Sequence, residues 1–214
     1  MSCQLPHASN LLIDVDALCK LAHWNLLDPL PELTGVPLSA CATLPSCRHR
    51  AAKALTKPDK VFRCIEAATA ALRVSANFGE LPQPDPNLLE PFQDVAGIDS
   101  GEAVMFARML EHPAAILLTG DKRAMRAAAT LPIQVRGPIA ARVLPVECIV
   151  KCALEAYGLD ELRARVCPWK DVDKAIAIVM GSRCDQAAES VREGLASYLH
   201  ELSNLCEPSL VHAC

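Results

Sequence analysis

The stretch Leu11-Leu12-Ile13-Asp14 is an apolar run that ends on an aspartate, and Ile116-Leu117-Leu118-Thr119-Gly120-Asp121 shows the same pattern later in the chain. Short aliphatic runs bounded by polar or glycine residues are typical of buried strands in a parallel sheet. In an open parallel sheet the ligand crevice lies beyond the carboxyl ends of the strands. We therefore expect Asp14 and Asp121 at the edge of the sheet where ligands bind.

A third acidic segment, Ile98-Asp99-Ser100-Gly101-Glu102-Ala103, lies between these two runs. Carboxylates gathered at one edge repel one another unless a cation lies between them, and hard divalent cations prefer oxygen ligands. The pattern therefore predicts a metal site. Its candidate ligands are Asp14, Asp16, Asp99, Glu102 and Asp121.

Each of these acids also has a purely structural interpretation. Asp14 or Asp16 suits the N-cap of a helix that follows the first strand, and Asp121 suits the N-cap of a helix beginning at Lys122. Asp99 and Glu102 have the spacing of a capping box. Gly101 disfavours that interpretation, because glycine in a first turn costs stability. A further acid, Glu147, stands in an apolar neighbourhood and is either buried or the start of a helix.

Strand and helix patterns alternate up to residue 145, which predicts a parallel α/β domain. Predicted strands end at Asp14 and Thr119, with further short strands at 37–44, 133–135 and 142–145. Predicted helices cover 16–27, 45–55, 59–77, 100–111 and 122–129, and 79–97 is expected to be a surface connection. From residue 147 the pattern is helical, at 147–157, 159–165, 170–180 and 186–205. We expect a domain over 8–146 and a helical C-terminal extension over 147–214.

The composition of the 214 residues favours a soluble, cytoplasmic protein. Hydrophobic residues make up 51%, enough for a substantial core, and only 4% are aromatic. The apolar stretches are far shorter than the ~20 residues that span a bilayer. No basic segment followed by an apolar run marks a secretion signal at the N-terminus.

Eleven cysteines are many for this length. They fall at apolar positions, such as Cys64 and Cys148, and no C-x-x-C spacing occurs. Free cysteine behaves as a small buried hydrophobe. We therefore expect structural thiols rather than a zinc site or a complete set of disulfides.

The net charge of −4 conceals two basic segments. Residues 48–63 carry six basic side chains against the single acid Asp59, and Lys122 and Arg123 follow Asp121. Basic segments beside a carboxylate cluster suit a phosphodiester substrate. Solvated helix faces are the alternative. The candidate substrate contacts are Thr119, Lys122, Arg123, Arg48, Arg50 and Lys53.

Residues 11–145 resemble a PIN domain, the metal-dependent nuclease fold of bacterial toxin–antitoxin toxins and of RNA-processing enzymes. The resemblance is carried by Leu-Leu-Ile-Asp14-Val-Asp16, Ile-Asp99-Ser-Gly-Glu102-Ala and Leu-Leu-Thr-Gly-Asp121-Lys-Arg-Ala. It implies a three-layer α/β/α fold in which Asp14, Glu102 and Asp121 are the catalytic acids, with Asp16 in support. A further acid that the family usually places after the second strand is missing from Leu44-Pro45-Ser46-Cys47-Arg48-His49-Arg50. Glu66, Glu80 or Asp99 are the candidates to replace it.

The resemblance implies Mg²⁺ or Mn²⁺ as cofactor and RNA as substrate, cleaved by a metal-bound water. A toxin of this family implies an antitoxin or other protein partner. The apolar stripe on the last predicted helix, Val191 to Leu205, suits burial against the domain, a protein inhibitor or a second copy in a homodimer.

Two other functions fit parts of the sequence. Asp14-Val15-Asp16 and Leu117-Leu118-Thr119 resemble motifs of haloacid-dehalogenase-type phosphatases, in which Asp14 would be the nucleophile and Asp16 the acid–base group. The second acidic motif of that family has no counterpart after Asp121. A PIN-like domain that lacks one acid would alternatively act as a protein-interaction or regulatory module.

Overall fold

The computed structural model describes residues 10–205 and 208–212. Residues 8 and 9, where the first domain is expected to begin, lie outside the described residues, as do 206, 207, 213 and 214 of the expected extension. The described part of the chain forms four strands, eleven α-helices and three short 3₁₀ turns. None of its helices combines the length and the apolar character that crossing a bilayer requires.

A wholly parallel sheet forms the centre of the fold. Its strands are β1 (Asn10–Ile13), β2 (Cys41–Ala42), β3 (Ala115–Thr119) and β4 (Val143–Pro145), in the order β2-β1-β3-β4. Leu11 lies opposite both Cys41 and Ile116, so that β1 and β3 run side by side at the middle of the sheet. The turns that carry Asp14 and Asp121 therefore lie at the same edge, the carboxyl edge.

Helices cover both faces of the sheet, because successive side chains of each strand point to opposite faces. Leu11 and Ile13 of β1 belong to one core and Leu12 to the other. The first core is shared with α1 (Val15–His23), α2 (Leu30–Thr34), α3 (Pro45–Ala54), α4 (Ile65–Ser75), α9 (Val146–Val166), α10 (Lys174–Met180) and α11 (Ala188–Ser203). The second is shared with α5 (Pro86–Leu89), α6 (Ser100–Glu111), α7 (Lys122–Ala129) and α8 (Ile133–Ile139). The predicted α/β class is confirmed, and the layering is consistent with an α/β/α arrangement.

Several element boundaries differ from the predictions for local reasons. The strand predicted at 37–44 is reduced to Cys41–Ala42, because a 3₁₀ turn at Leu38–Ala40 follows Pro37. The helix predicted from residue 59 begins at Ile65, since the Asp59 carboxylate accepts hydrogen bonds from two following backbone N–H groups and closes a turn there. The strand predicted at 133–135 is wrong. Those residues begin α8, which follows Pro132 and packs on α6.

The helices after residue 146 pack on the first core. Cys148, Ile149 and Leu154 of α9 are buried with residues of α1 and α2. Gly158, at φ 79°, interrupts α9 where a break between two helices is predicted. The expectation of buried thiols holds for Cys19, Cys41, Cys47 and Cys152. It is wrong for Cys148, which is disulfide-bonded, and for Cys167 and Cys184, which form a disulfide across α10.

Candidate active site at the carboxyl edge of the sheet

Asp14 is the first residue after β1 and is the N-cap of α1. Its Oδ1 accepts a hydrogen bond of 2.7 Å from the Val15 N–H, and its side chain is buried. Thr119, at the end of β3, donates from Oγ1 to the Asp14 Oδ2 at 3.3 Å. The same Thr119 oxygen accepts from the Asp121 N–H at 3.0 Å. One hydroxyl thus connects the turns that carry the first and last candidate acids.

Burial raises the pKa of Asp14 to about 6, and the neighbouring charge of Asp16 adds to that increase. Hydrogen bonds from the Val15 N–H and from Thr119 act in the opposite direction. A helix cap needs no such burial of its carboxylate. The environment of Asp14 therefore disfavours the ionised form in the absence of a nearby cation.

Asp99 and Glu102 form the complete capping box that their spacing allows. The Glu102 N–H donates to the Asp99 Oδ1 at 2.9 Å, and the Asp99 N–H donates to the Glu102 Oε2 at 2.7 Å. The structure also gives a packing reason for Gly101, because a Cβ there would lie 2.9 Å from the Leu44 Cδ1. The structural interpretation is thus correct for this pair, but it does not account for the electrostatic surroundings of Glu102.

Burial raises the pKa of Glu102 to about 7, and the charges of Asp99, Asp121 and Asp14 raise it further against the hydrogen bond from the Asp99 N–H. Acids of three separate segments therefore raise the pKa of Glu102 together. Asp14, Glu102 and Thr119 line one narrow cleft, too small in this structure to admit a water molecule, whose remaining lining is apolar and formed by Met105, Phe106, Leu117 and Ala124.

Asp121 does not line this cleft and is the N-cap of α7. Its Oδ1 accepts from the N–H groups of Arg123 and Ala124, at 2.8 and 3.1 Å. The Arg123 guanidinium lies 3.1 Å from the Asp121 Oδ2 and 3.8 Å from the Glu102 Oε1. Because the Arg123 side chain is 65% exposed, it is free to exchange these carboxylates for another anion.

Asp16 faces away from the cleft. Its Oδ2 lies 2.5 Å from the Lys20 Nζ, which also lies 2.8 Å from the Asp173 Oδ2 and donates to the Gly120 carbonyl at 3.3 Å. A Cβ at position 120 would lie 2.6 Å from the Lys20 Nζ and against the Asp16 carboxylate. A side chain at position 120 would therefore require the Asp16 carboxylate and the Lys20 ammonium to shift.

Lys122 is turned toward the same buried cluster. Its Nζ lies 2.5 Å from the Glu147 Oε1, an ionic contact rather than a hydrogen bond of good geometry, and 3.2 Å from the Asp173 Oδ2. We call the five side chains of Asp16, Lys20, Lys122, Glu147 and Asp173 the ion cluster. In this arrangement the Lys122 ammonium does not face the cleft.

Asp173 is the centre of the ion cluster. Burial acts to raise its pKa, but the charges of Lys122 and Lys20 outweigh burial and bring the pKa to about 2. Burial raises the pKa of Glu147 despite Lys122. Glu147 is noted in the sequence as a buried acid, whereas Asp173 is not. The sequence around Asp173 marks it only as an N-cap, and in the structure its carboxylate accepts from the N–H groups of Ala175 and Ile176.

The basic side chains of α3 are exposed and lie beside the end of β2. Arg50 pairs with Asp59 at 2.9 Å, and Lys53 points to solvent on the same helix. Arg48 lines a separate cavity next to Thr43. The three candidates for the missing family acid lie in different places. The charge of Asp99 raises the pKa of Glu102. Glu80 lines the cavity with Arg48, and Glu66 is exposed on the first turn of α4.

The donor set at the cleft fits a hard divalent cation in chemistry, because it consists of carboxylate and hydroxyl oxygens. The mutual repulsion at Asp14 and Glu102 is what a bound cation would relieve. Among the residues that the structure describes, no three His, Cys, Asp or Glu side chains already surround a common point closely enough to hold an ion. Closure around a cation thus requires side-chain rotation, with Arg123 releasing Asp121 and Glu102.

Comparison with known proteins gave no match at three levels. These were models of protein families, curated proteins and solved structures.

Proposed function

We propose that the protein is a metal-dependent endoribonuclease of PIN type that hydrolyses phosphodiester bonds of RNA. The observation that carries the proposal is the surroundings of Glu102. Its buried carboxylate shares a cleft with Asp14 and is affected by the charges of both Asp14 and Asp121. Three segments far apart in sequence therefore bring acids to the edge where parallel α/β proteins bind ligands.

In this proposal Asp14, Glu102 and Asp121 hold Mg²⁺ or Mn²⁺, with Asp99 behind Glu102. A divalent cation at such a site supplies Lewis acidity and lowers the pKa of a bound water. Thr119 keeps the Asp14 and Asp121 turns in register through its two hydrogen bonds. Arg123, released from the carboxylates, is placed to pair with the phosphate.

The proposal assigns supporting roles to the remaining candidates. Asp16 and Lys122 act from the ion cluster, where they hold the two turns rather than contact substrate. Arg48, Arg50 and Lys53 form a basic approach for the RNA backbone. A toxin role and an antitoxin partner are proposals that follow from the family resemblance alone. A cytoplasmic location is a proposal that follows from the composition.

The test is cleavage of end-labelled single-stranded RNA by the purified chain in Mn²⁺, in Mg²⁺ and in EDTA, with DNA of the same sequence alongside. We expect metal-dependent cleavage that falls by about 100-fold or more in Asp14→Asn, Glu102→Gln and Asp121→Asn, the range found when a catalytic group is removed. Asp160→Asn is the control, because the Asp160 side chain is fully exposed and distant from the cleft. Full activity in the three variants would refute the assignment.

The need for side-chain rearrangement before a cation is enclosed favours one alternative, a PIN-like regulatory module without catalysis. Calorimetric titration with Mn²⁺ separates the two. A nuclease binds the ion at millimolar concentration or tighter and loses binding in Asp14→Asn, whereas the regulatory module shows no binding in either form.

A further inference from the structure

A cavity of about 420 Å³ opens at the carboxyl end of β2, outside the acidic cleft. Its volume lies in the range of small-molecule sites, roughly 300–1,000 Å³. The lining includes an aromatic, a cationic and an acidic residue, Phe78, Arg48 and Glu80. Thr43 and Ser75 also line it, but both are buried and their hydroxyls donate to backbone carbonyls. We call it the base pocket.

The base pocket adjoins the candidate active site across one strand spacing. Thr43 is the first residue after β2, and its Oγ1 donates to the Ile13 carbonyl at 2.7 Å. Ile13 directly precedes Asp14, and neighbouring strands lie about 4.8 Å apart. Leu44, the next residue, approaches Gly101 of the segment that carries Glu102. A ligand in the pocket would therefore lie beside Asp14 and Glu102 rather than on a remote surface.

Phe78 lies between the first core and the cavity. It is half-buried, packs against the first core and is one of the residues that line the cavity. The following Gly79 donates its N–H to the Cys41 carbonyl at 2.8 Å, which fixes this segment to the end of β2. An aromatic side chain beside a cation in a groove is the combination on which proteins stack bases of single-stranded nucleic acid.

Arg48 is the unpaired cation of the pocket. Arg50, two residues later, is neutralised by Asp59, whereas no ion-pair partner of Arg48 or of Glu80 is found in residues 10–205 and 208–212. The Arg48 guanidinium is exposed and remains available for a phosphate. The Glu80 carboxylate is available to accept from an amino group of a base.

We propose that the base pocket binds one nucleobase of single-stranded RNA, stacked on Phe78, while Arg48 holds the adjoining phosphate. The bound nucleotide then places a neighbouring phosphodiester at Asp14 and Glu102. The inference rests on the proposed nuclease function for its biological substrate, but binding at the pocket is measured without cleavage.

The experiment measures binding of fluorescein-labelled single-stranded RNA to the full chain by anisotropy in EDTA. The RNA is about ten nucleotides long, within the usual site size of such grooves. In a series of these oligonucleotides a single abasic ribose is moved one position at a time. We expect one position at which loss of the base weakens binding about tenfold, as one stacked base contributes.

Two variants assign that position to the pocket. Phe78→Leu should abolish the abasic penalty at the sensitive position, and Phe78→Tyr, which keeps the ring, should retain it. Arg48→Gln should weaken every oligonucleotide of the series and lower the salt dependence by about one phosphate contact while keeping the penalty. Arg192→Gln is the matched control, because Glu155 neutralises that exposed arginine on α11, which has no place in the proposed RNA path. Thermal unfolding establishes that each variant is folded.

An unchanged abasic penalty in folded Phe78→Leu would overturn the base pocket, as would equal binding by all oligonucleotides. These results are distinguishable from failure of the nuclease. Cleavage in Mn²⁺ with no sensitive position retains the nuclease and refutes the pocket. A Phe78-dependent sensitive position without cleavage retains the pocket and refutes the nuclease.

Discussion

Replacing Asp14 by asparagine should stabilise the metal-free protein at neutral pH while removing its metal-dependent activity. Burial and the charge of Asp16 raise the Asp14 pKa from 3.8 to about 6. Each pKa unit corresponds to about 1.36 kcal/mol, so the ionised carboxylate costs the fold roughly 3 kcal/mol at pH 8. Asparagine is also a good N-cap and keeps an oxygen for the Val15 N–H. Its amide nitrogen cannot accept from the Thr119 hydroxyl, but the loss of that hydrogen bond, about 1 kcal/mol, is smaller than the gain.

The sign of this effect fixes its pH dependence. Because the folded pKa is the higher one, the contribution of Asp14 to stability is complete below pH 3.8 and is lost as the pH rises through about 6. At pH 5 part of the free-energy cost of ionising Asp14 in the folded protein is already present. The advantage of Asp14→Asn over the wild type should therefore grow by roughly 1.4 kcal/mol between pH 5 and pH 8.

The assay is urea unfolding followed by circular dichroism, in EDTA, at both pH values. Asp28→Asn is the control of opposite sign, because hydrogen bonding to Arg73 lowers the pKa of the exposed Asp28. It should gain no stability at pH 8. Excess Mn²⁺ should raise the unfolding midpoint of the wild type and leave Asp14→Asn unchanged. A variant no more stable than the wild type at pH 8 would refute the reasoning from burial.

Three further outcomes follow from the same surroundings. Glu102→Gln should lose Mn²⁺-dependent cleavage but unfold at or above the wild-type urea midpoint, since its amide oxygen still accepts from the Asp99 N–H; a lower midpoint would mean that its role is mainly structural. Asp173→Asn should lower the free energy of unfolding in urea by about 2.5 kcal/mol at pH 7. The depressed pKa of Asp173 gives stability that is complete above pH 3.8 and lost as the pH falls through about 2. A decrease of less than about 1 kcal/mol would contradict the role given to the ion cluster. Cys167→Ser should lower stability by about 3 kcal/mol under non-reducing conditions, the chain-entropy value for a loop of this length; an unchanged midpoint would show that α10 is held without the disulfide.

The parts of the fold that are predictable from sequence are those with local causes. β1 and β3 are runs of buried aliphatic residues, and the acids that follow them cap the next helices, so both strands and both turns are found where the sequence places them. The residues at 133–135 are misassigned because three residues of alternating polarity do not distinguish a strand from the first turn of a helix.

The site is predictable only in its acids. Asp14 and Asp121 are expected together because parallel strands end at one edge, whereas Glu102, in the first turn of α6, joins them in the sequence analysis through the family resemblance. The contact of Asp173 with Lys20 depends on how α10 packs, which no periodicity encodes. Phe78 likewise reads as an ordinary apolar residue after α4. Its position beside Thr43 depends on two features of the fold. These are the short β2 strand and the return of the chain after α4 to the end of that strand.

The ion cluster has a practical consequence for anyone who trims this protein. A fragment ending after β4 would keep all the acids proposed for chemistry, yet it would lack Glu147 and Asp173. The Lys122 ammonium would then lose both of its carboxylates, and the Lys20 ammonium would keep only Asp16. Such a fragment would therefore be destabilised at the turns that hold its proposed catalytic acids. Adding the missing helices as a separate polypeptide should restore it.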